Sequence, residues 1–418
     1  MKIAVVGGGI SGILSAYLLQ QKHEVVLFER NGYTGGHTNT IVIPSGPDEG
    51  LAVDTGFIVF NEKTYPVFIR FLTRLGVSFH KTDMSFSYCC LRTRQTFASR
   101  NINTLFARRS NLLRPGYWSF LQGMVRFLNT IRNDYLSGRL PDISLADYLK
   151  QNGFSDNVTN WFVIPMAAAI WSASDARILE FPVRAFAQFY ENHGLLAVRN
   201  HPAWYYVGGG SHSYVKAFLE SFTGQVMNRR PVARIKRNEN GVTLTMGDGE
   251  KLDFDKVVVA THADEALALL ADPSPDETRL LSAWRYSENH TVLHKDVSLM
   301  PPNRVAWASW NYLRPLEEGG DRPITVTYHM NRLQKLKTTT DYFVTLNPVR
   351  PIPKQHIVTT IDYTHPIYNE AAFATQAGLD TLNDRRHTFF CGSYFGYGFH
   401  EDGARSALNV GRYFDVTL

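Results

Sequence analysis

The sequence predicts an α/β fold in which a parallel sheet is interrupted by an inserted mixed α+β domain. First, a short apolar strand, Ile3 to Val6, turns through a glycine-rich loop into an apolar helix, Ile10 to Gln20. Second, another buried strand follows at Val25 to Phe28, as in a strand–helix–strand unit with parallel strands. Third, strand patterns of the same kind return at Lys256 to Ala260 and within 386–418. The chain therefore leaves this sheet and comes back to it.

The loop after the first strand has the spacing of a dinucleotide-binding turn. Gly7, Gly9 and Gly12 fit G-x-G-x-x-G, in which the glycines allow a tight turn, close approach of a pyrophosphate and close helix–strand packing. The helix N-terminus then offers free N–H groups and partial positive charge to the phosphates. Glu29 ends the next strand, where an acid hydrogen-bonds a ribose. The alternative is an ordinary turn beside a surface glutamate, and the motif as a whole predicts a Rossmann-like domain.

The N-terminus also has some features of an export signal. Lys2 precedes a mostly apolar run from Ile3 to Leu19, long enough for a signal core. The glycine spacing favours the phosphate loop, since a signal core gains nothing from it. No stretch approaches the roughly 18 uninterrupted apolar residues of a membrane span, so we expect no transmembrane helix. The three cysteines suit neither a disulfide framework nor a metal site, which predicts a reducing compartment, the cytoplasm.

The following segments predict further elements in order. A second glycine-rich turn carries Gly35 to His37, and a strand–turn–strand centred on Asp54 to Gly56 comes next. From about Pro66 to Leu149 the pattern is helical and rich in aromatic residues. The apolar run Trp161 to Ser172 fits either core packing or a substrate channel. After a third glycine turn, Ser211 is expected to cap a helix.

The C-terminal half predicts a return to the first domain. Asn240-Gly241 and Asp248-Gly249 are tight turns of hairpin strands that precede the buried strand at 256–260. Residues 264–385 predict mixed strands and helices, and the end of the chain predicts a strand, a glycine-aromatic loop and a helix beginning near Glu401. The predicted division is a nucleotide-binding domain at 1–65, 205–265 and 386–418, and a substrate domain at 66–204 and 266–385.

Composition and charge limit the classes of function. With 418 residues, 44% hydrophobic and 19% charged, the chain suits two or three globular domains. Nine arginines, no lysine and one acid, Asp134, lie between Arg92 and Arg139, interleaved with aromatic and leucine residues. This mixture fits either a peripheral contact with anionic lipid head groups or an ordinary helical domain whose arginines are solvated or bind acids elsewhere in the fold. No nucleic-acid motif accompanies it, so nucleic acid is not an expected partner.

Several motifs occur together in this chain. They are Gly7-x-Gly9-x-x-Gly12 with Glu29, Gly35-Gly36-His37, the hairpin with Pro231-Val232, Gly392-Ser393, and Asp402-Gly403-Ala404. In this combination the sequence resembles the flavin-containing amine oxidoreductase superfamily over essentially its whole length. The segments GGHTNT, VDTGFIVFN, IPMAAAIWS, THADEALALL, WASWNY and YFVTLNP are similar to a bacterial flavoprotein group associated with cyclopropane and furan fatty acid synthesis.

The resemblance implies an FAD-binding domain of the GR2 type and FAD bound without a metal. The residues that it implies for the cofactor are Gly7, Gly9, Ser11, Gly12, Glu29, Arg30, Gly35, Gly36, His37, Thr38, Gly56, Phe57, Val232, Gly392, Asp402, Gly403 and Ala404. Val232 would hold the adenine through its backbone, and the helix start at Asp402 would face the pyrimidine end of the flavin. Members usually carry arginine or lysine where this chain has His37, which has no permanent charge.

The resemblance also implies two residues at the flavin face, His400 and Tyr397, as catalytic candidates. His400 stands two positions before the acid of Asp402-Gly403-Ala404, where amine oxidases carry an aromatic cage residue. The alternative is that both residues only shape the loop. Desaturation needs a positioned base, which the sequence does not name.

The expected function is therefore an FAD-dependent dehydrogenase or desaturase of methylated fatty acyl chains on phospholipid, with hydride passing to flavin N5. The expected substrate is a lipid or other hydrophobic small molecule, with peripheral membrane contact through Arg92–Arg139 and a cytoplasmic location at the inner face of the membrane. The alternatives are an amine oxidase, a carotenoid- or porphyrinogen-type oxidase, and a non-catalytic flavoprotein partner of a lipid methyltransferase. The sequence leaves the oligomeric state open.

Overall fold

The structure is a computed structural model that describes residues 1–171, 175–197, 201–314 and 325–418. Its strands, in chain order, are β1 (Lys2–Val6), β2 (Glu24–Phe28), β3 (Thr40–Val42), β4 (Ala52–Asp54), β5 (Val59–Asn61), β6 (Phe79–Thr82), β7 (Phe86–Cys90), β8 (Thr96–Ala98), β9 (Trp204–Val207), β10 (Gln225–Met227), β11 (Val232–Arg237), β12 (Val242–Met246), β13 (Lys251–Phe254), β14 (Lys256–Val259), β15 (Arg285–His294), β16 (Trp310–Arg314), β17 (Val326–His329), β18 (Phe343–Leu346), β19 (Ile357–Ile367) and β20 (Thr388–Phe390).

The helices stand between these strands singly or in runs. They are α1 (Ile10–Leu19), α2 (Pro66–Arg74), α3 (Ile102–Leu105), α4 (Pro115–Leu136), α5 (Leu145–Gln151), α6 (Asp156–Val158), α7 (Ile164–Trp171), α8 (Asp175–Leu179), α9 (Val183–Asn192), α10 (His212–Ser221), α11 (Ala263–Leu269), α12 (Pro275–Leu281), α13 (Met330–Leu333), α14 (Glu370–Leu379) and α15 (His400–Arg412). Among the helices of the described ranges, none combines the length and the apolar character needed to cross a membrane.

A five-stranded parallel sheet, in the order β10-β2-β1-β14-β20, is covered on both faces. Ile3 and Val5 of β1 share one apolar cluster with α1 and α15, whereas Ala4 and Val6 share another with the hairpin strands β11 and β12. Burial on both faces requires apolar side chains at successive positions, which explains the uninterrupted apolar run of β1. The α/β fold and its parallel Rossmann-like sheet are confirmed.

A seven-stranded mixed sheet forms the second large layer, in the order β19-β15-β18-β17-β16-β7-β8. Its neighbouring strands are antiparallel except for β7 and β16, which pair in parallel with Trp310 opposite Phe86. The helical interpretation of residues 66–149 is therefore wrong in part, because β6, β7 and β8 lie within them. All five residues of β7 are buried, so β7 has no alternating polar pattern, and although β8 pairs with it as a hairpin, its other partner, β16, lies more than two hundred residues away.

Candidate functional site

A cavity of about 930 Å³ opens at the carboxyl ends of the parallel strands. Its wall includes Gly7 after β1, Glu29 after β2, Ala260 to His262 after β14, and Gly392 after β20. Ligands of open α/β sheets bind outside the carboxyl ends of the strands, beside the turn into the first helix. The wall then continues over residues of the seven-stranded sheet, so one cavity spans both large layers.

The glycine turn leaves room for a ligand at one position and not at the others. Gly7 has a φ of +107°, and a Cβ there would lie 2.7 Å from the Ala260 carbonyl oxygen. A Cβ on Gly12 would lie 1.8 Å from the Gly7 carbonyl oxygen, so helix and strand meet too closely for any side chain. At Gly9, by contrast, a Cβ would have no atom within 4 Å and would enter open space. The turn thus forms a cradle whose floor is the backbone of Gly9.

The carboxylate of Glu29 ties this turn to the next loop. One oxygen accepts the N–H of Gly8 at 2.8 Å and the other accepts the N–H of Asn31 at 2.8 Å, and the residue is 5% exposed. Each oxygen keeps lone pairs that a pair of hydroxyl groups could use. Arg30 beside it forms an ion pair with Glu265 at 2.6 Å and keeps 64% of its side chain exposed.

The turn at Gly35 and Gly36 brings His37 to the cavity wall. Its ring stacks on Tyr363 at 5.0 Å between centroids and lies 5.4 Å from the ring of His365. Its Nε2 is buried and has no hydrogen-bond partner within the described part of the chain. Burial, followed by the neighbouring imidazoles of His365, His262 and His400, holds the pKa of His37 well below its usual range. The ring is therefore neutral near pH 7 in this structure.

His400, a catalytic candidate, is held in a buried hydrogen-bond network. Its ring lies parallel to Phe57 at 3.6 Å, and its Nε2 lies 2.8 Å from the hydroxyl of Thr38 and 3.3 Å from that of Tyr214. Burial lowers the pKa of His400 to about 3, so the imidazole stays neutral. A ring nitrogen committed to two hydroxyl groups is poorly placed to accept a proton from a substrate. The geometry supports a role in positioning Phe57, which also lines the cavity.

Tyr397, the other candidate, lines the cavity but its hydroxyl is also occupied. It donates to the side-chain oxygen of Gln188 at 2.7 Å, and its ring packs near Phe189 and Phe373. Burial raises the pKa of Tyr397, so the phenol remains protonated. The position of Tyr397 therefore suits a residue that shapes the cavity wall.

The start of α15 is organised by a buried carboxylate. Asp402 accepts the backbone N–H groups of Tyr397 at 2.9 Å and Phe399 at 3.1 Å, and Arg405 donates to it at 2.8 Å. Gly403 lies against α1, because a Cβ there would come within 2.7 Å of the hydroxyl of Ser11. This segment therefore lies behind the cavity wall and fixes α15 on α1.

The structure brings most of the predicted cofactor residues to one wall. Those that line the cavity are Gly7, Gly9, Ser11, Glu29, Arg30, Gly35, Gly36, His37, Gly56, Phe57, Val232 and Gly392. Those that lie behind it are Gly12, Thr38, Asp402, Gly403 and Ala404. Val232 begins β11, and the pairing of β11 with β12 shifts register between Val232 and Arg234, which leaves the backbone there out of the regular ladder.

Ser211 stands at the N-cap position of α10, as predicted, but its side chain makes no capping hydrogen bond to the helix. Its own N–H and hydroxyl donate instead to the carboxylate of Asp54, at 2.8 Å and 2.9 Å for the same oxygen. Asp54 thus caps α10 from another element. An acid near a helix N-terminus is favourable both as an acceptor and by its charge.

Away from the nucleotide-binding turn, the cavity is lined mostly by apolar and aromatic side chains. They include Tyr65, Met84, Phe86, Met166, Ala169, Ile170, Trp171, Phe189, Leu195, Trp204, Trp310, Tyr328, Leu346, Tyr368 and Phe399. Four of these come from α7, so part of the apolar run 161–171 lines the cavity, and Ser172 lies outside the described residues.

The acids on the wall are directed to other partners. Glu29 holds the glycine turn, and Glu265 pairs with Arg30. Asp362 pairs with His290 on the neighbouring strand at 2.8 Å, and 79% of its side chain is exposed. Within the described residues, no carboxylate belongs to the apolar part of the lining.

His193 is a candidate that the sequence did not indicate. It follows α9, lines the cavity and stacks on Phe189 at 3.9 Å. Its Nδ1 lies 2.9 Å from the Phe189 carbonyl oxygen, which can only accept, so Nδ1 carries the hydrogen. Nε2 is then the ring atom with a free lone pair. Burial lowers the pKa of His193 to about 4, which keeps the ring neutral.

Further wall residues were also missed. Thr261 and His262 directly follow a buried parallel strand, a position where polar residues often line sites, and this signal could have found them. Tyr363 and His365 belong to β19, more than three hundred residues from the glycine turn, and no local motif points to them.

The family model and the related proteins that match this chain agree with one another. Residues 10–296 match the model of the family described as flavin containing amine oxidoreductase. The chain is 23% identical over 292 residues to an L-amino-acid oxidase of Siganus canaliculatus, covering 65% of this chain and 52% of the fish protein. It is 24% identical over 319 residues to polyamine oxidase 4 of Oryza sativa subsp. japonica, covering 72% of this chain and 60% of the rice protein. The chain thus spans between half and three-fifths of the length of these relatives.

Solved structures share the fold over almost the whole chain. Wild-type putrescine oxidase bound to putrescine superimposes with a TM-score of 0.70 at 12% identity, covering 99% of both chains. A fatty acid isomerase from P. acnes that produces CLA superimposes with a TM-score of 0.66 at 15% identity, covering 99% of this chain and 98% of that one. At identities this low, the structural similarity shows that the fold is shared.

Proposed function

The chain belongs to the flavin-containing amine oxidoreductase family, whose cofactor is FAD, and from this premise we propose that it dehydrogenates the fatty acyl chain of a lipid, a methyl-branched chain in particular. The observation that carries the proposal is the apolar, aromatic lining of the cavity beyond the nucleotide end, without a carboxylate among its described residues. An acyl chain is recognised by such a lining because it gains from burial without requiring a polar partner. A cationic amine would lose hydration there without gaining an ion pair.

The residues at the nucleotide end fit FAD. The cradle at Gly9 is open where a side chain would fill it, and the buried Nε2 of His37 lacks a partner that a phosphate oxygen would supply. The carboxylate of Glu29 retains acceptor capacity for ribose hydroxyl groups. Val232 and Ala233 line the wall where the β11 ladder is interrupted, a suitable place for the adenine edge.

FAD, when bound, supplies the acceptor for a hydride equivalent. The chain must then position the acyl carbon and remove the neighbouring proton. His193 is placed for the second task, since its Nδ1–H is fixed on the Phe189 carbonyl and its Nε2 remains free to take a proton. The aromatic lining excludes water and orients the chain.

An amine oxidase is the second candidate, because both curated relatives carry oxidase names for amines or amino acids. The rings of Phe189, Tyr397 and Phe399 stand together near the cavity and could accept a neutral amine. The P. acnes neighbour, by its name, acts on fatty acids, which supports the acyl proposal at the level of the fold.

Anaerobic reduction of the bound flavin distinguishes the two. We expect phospholipids with methyl-branched or cyclopropane acyl chains to bleach the flavin absorbance, and putrescine, benzylamine and L-amino acids to leave it unchanged. Rapid bleaching by an amine, with hydrogen peroxide released in air, would establish the second candidate instead. Dithionite serves as the control that the flavin can be reduced.

A further inference from the structure

The arginine-rich stretch separates in the structure into two parts. Toward the end of α4 the arginines are ordinary ion-pair partners: Arg132 lies 2.8 Å from Glu191, and Arg139 lies 3.3 Å from Asp134. The interpretation as a helical domain with satisfied arginines therefore holds for this part. Before α4, Arg100 also forms an ion pair, with Asp83 at 3.5 Å, but four other arginines that precede α4 are different.

In the segment before α4 and its first turn, three exposed arginines, the half-buried Arg108 and exposed apolar residues form a single surface, which we call the arginine–leucine surface. Its members are Arg94, Arg108, Arg109, Arg114, Ile102, Leu112, Leu113 and Trp118. They come from the turn after β7, from α3, from a 3₁₀ turn at Arg109–Leu113, and from the start of α4.

Hydrogen bonds hold these short elements together. The indole N–H of Trp118 donates to the Leu112 carbonyl at 3.0 Å, and its ring lies 5.1 Å from that of Phe106. Arg109 donates to the side-chain oxygen of Asn103 at 2.6 Å. The surface is therefore built before any partner arrives, so binding orders few groups.

The apolar members are unusually exposed. Leu113 is 89% exposed, Ile102 75%, Leu112 48% and Trp118 46%. Single exposed apolar side chains are common on proteins, but a contiguous group on tied elements marks an interaction surface.

The arginine members have no acidic partner within the described ranges. Burial, followed by the guanidinium groups of Arg114 and Arg94, lowers the pKa of Arg108, which places these three charges near one another. Arg108 donates to the Thr93 carbonyl at 2.8 Å and to the Ser110 hydroxyl at 3.2 Å, both neutral groups. Among the residues that the structure describes, none of the four arginines of this surface pairs with a carboxylate. The surface thus presents uncompensated positive charge.

We propose that the arginine–leucine surface docks the protein on an anionic phospholipid membrane. The guanidinium groups would contact lipid phosphates while Leu112, Leu113, Ile102 and Trp118 enter the head-group boundary. The charge complementarity and the apolar edge select a membrane over a soluble anion, which has no apolar boundary to offer.

The segment that leads into this surface is hydrogen-bonded to the cavity wall. Ser99, just before α3, donates its N–H to the Phe86 carbonyl at 2.8 Å and accepts the Phe86 N–H at 3.0 Å, and Phe86 lines the cavity. Docking at this place would hold a lipid acyl chain close to the site. The docking proposal does not rest on the proposed substrate, because vesicle binding needs no turnover.

The test is sedimentation of the full-length flavin-loaded protein with phosphatidylglycerol–phosphatidylcholine vesicles and with phosphatidylcholine vesicles. The wild type should bind the anionic vesicles, and added salt should weaken binding. Arg94→Glu with Arg114→Glu should lose at least about tenfold in affinity, since each basic residue near an anionic surface contributes roughly fivefold. Both residues are exposed, so flavin content and thermal unfolding should be unchanged.

Two matched controls make the result specific. Arg70→Glu with Arg74→Glu reverses the same charge at exposed positions of α2 and should leave vesicle binding within about twofold of wild type. Leu113→Ser should weaken binding, whereas Leu136→Ser, at a residue 62% exposed at the other end of α4, should not. The proposal would be overturned if the two arginine double variants lost vesicle affinity equally, or if the wild type did not bind anionic vesicles.

Discussion

The buried carboxylate of Asp54 accepts both the backbone N–H and the hydroxyl of Ser211, although the two residues lie 157 positions apart. Gln334 donates its side-chain amide to the same carboxylate at 2.9 Å, and Thr40 donates its hydroxyl at 2.5 Å. One carboxylate thus joins β4, α10 and the segment after α13. Removing it would leave several buried donors without a partner.

We expect Asp54→Ala to lower the free energy of unfolding by about 3–5 kcal/mol, because a buried polar network that loses one partner is costly. Denaturant titration of the flavin-free protein measures this free energy of unfolding. Asp253→Ala is the matched control: Asp253 is exposed and accepts one hydrogen bond from Thr243, so its loss should cost less than about 1 kcal/mol. Equal midpoints for the two variants would contradict the role assigned to Asp54.

The same carboxylate should make stability depend on pH. Burial raises the pKa of Asp54 from 3.8 to about 6, although Thr40 and Ser211 oppose the shift. Since the folded state binds this proton more tightly than the unfolded state, the Asp54 contribution to stability is largest below about pH 4 and is lost as pH rises through 6. The difference in unfolding free energy between wild type and Asp54→Asn should therefore fall by up to about 3 kcal/mol across this window. A difference that stays constant from pH 4 to pH 7 would show that the proton is not taken up.

The glycine turn allows cofactor binding and folding to be separated. Gly9 has a φ of −77°, which any residue adopts, and open space where a Cβ would stand. Gly9→Val should therefore fold with its flavin-free stability changed by less than about 0.5 kcal/mol. FAD affinity, measured by quenching of flavin fluorescence, should drop at least about tenfold, because the side chain would occupy the phosphate cradle.

Gly12→Ala provides the contrast within the same turn. Its Cβ would stand 1.8 Å from the Gly7 carbonyl oxygen, so α1 must move and folding should weaken by about 1–3 kcal/mol or more. If Gly9→Val and Gly12→Ala changed stability by similar amounts, the assignment of Gly9 to the phosphate cradle and of Gly12 to helix–strand packing would be contradicted.

The sequence predicted the nucleotide end of the site well because its signals are local. The strand, turn and acid of Gly7 to Glu29 lie within about thirty residues, and each has a conformational or hydrogen-bonding reason for its position. The parallel sheet was predictable for a related reason, since strands buried on both faces are apolar throughout.

Other features depend on contacts between distant segments. The place of β7 in the seven-stranded sheet depends on its pairing with the distant β16, and the cap of α10 comes from Asp54 rather than from the side chain of Ser211. His193 ends an amphipathic helix and looks like any other capping residue until α9 is placed beside the cavity. Contacts between distant segments of this kind produce no periodic pattern and no motif spacing in the sequence.

His37 should make FAD binding sensitive to pH. Burial, followed by the imidazoles of His365, His262 and His400, lowers its pKa, and Glu29 accepts the N–H of Gly8 in the neighbouring glycine turn. A bound pyrophosphate would favour the protonated ring, so FAD affinity should rise as pH falls from neutrality toward the lowered pKa of His37. His37→Arg carries a permanent charge and should bind FAD with a flatter pH profile, as followed by fluorescence titration. His201→Arg, at an exposed position, should retain the wild-type profile, and a pH-independent wild type would contradict the prediction.

His193 gives the most direct test of the proposed chemistry. His193→Asn preserves a donor for the Phe189 carbonyl but has no imidazole nitrogen to accept a proton, so FAD content should be unchanged while reduction by an acyl substrate slows at least about a hundredfold. His201→Asn is the matched control, because His201 also bonds a backbone carbonyl through Nδ1, at 3.0 Å from Gly194, yet does not line the cavity.

Since burial lowers the pKa of His193 to about 4, the neutral, proton-accepting form persists down to that pH. The wild-type rate should therefore be flat above about pH 5 and fall as pH decreases through 4, whereas His193→Asn should lack this limb. Stopped-flow absorbance under anaerobic conditions measures both, and an unchanged rate in His193→Asn would remove His193 from the mechanism.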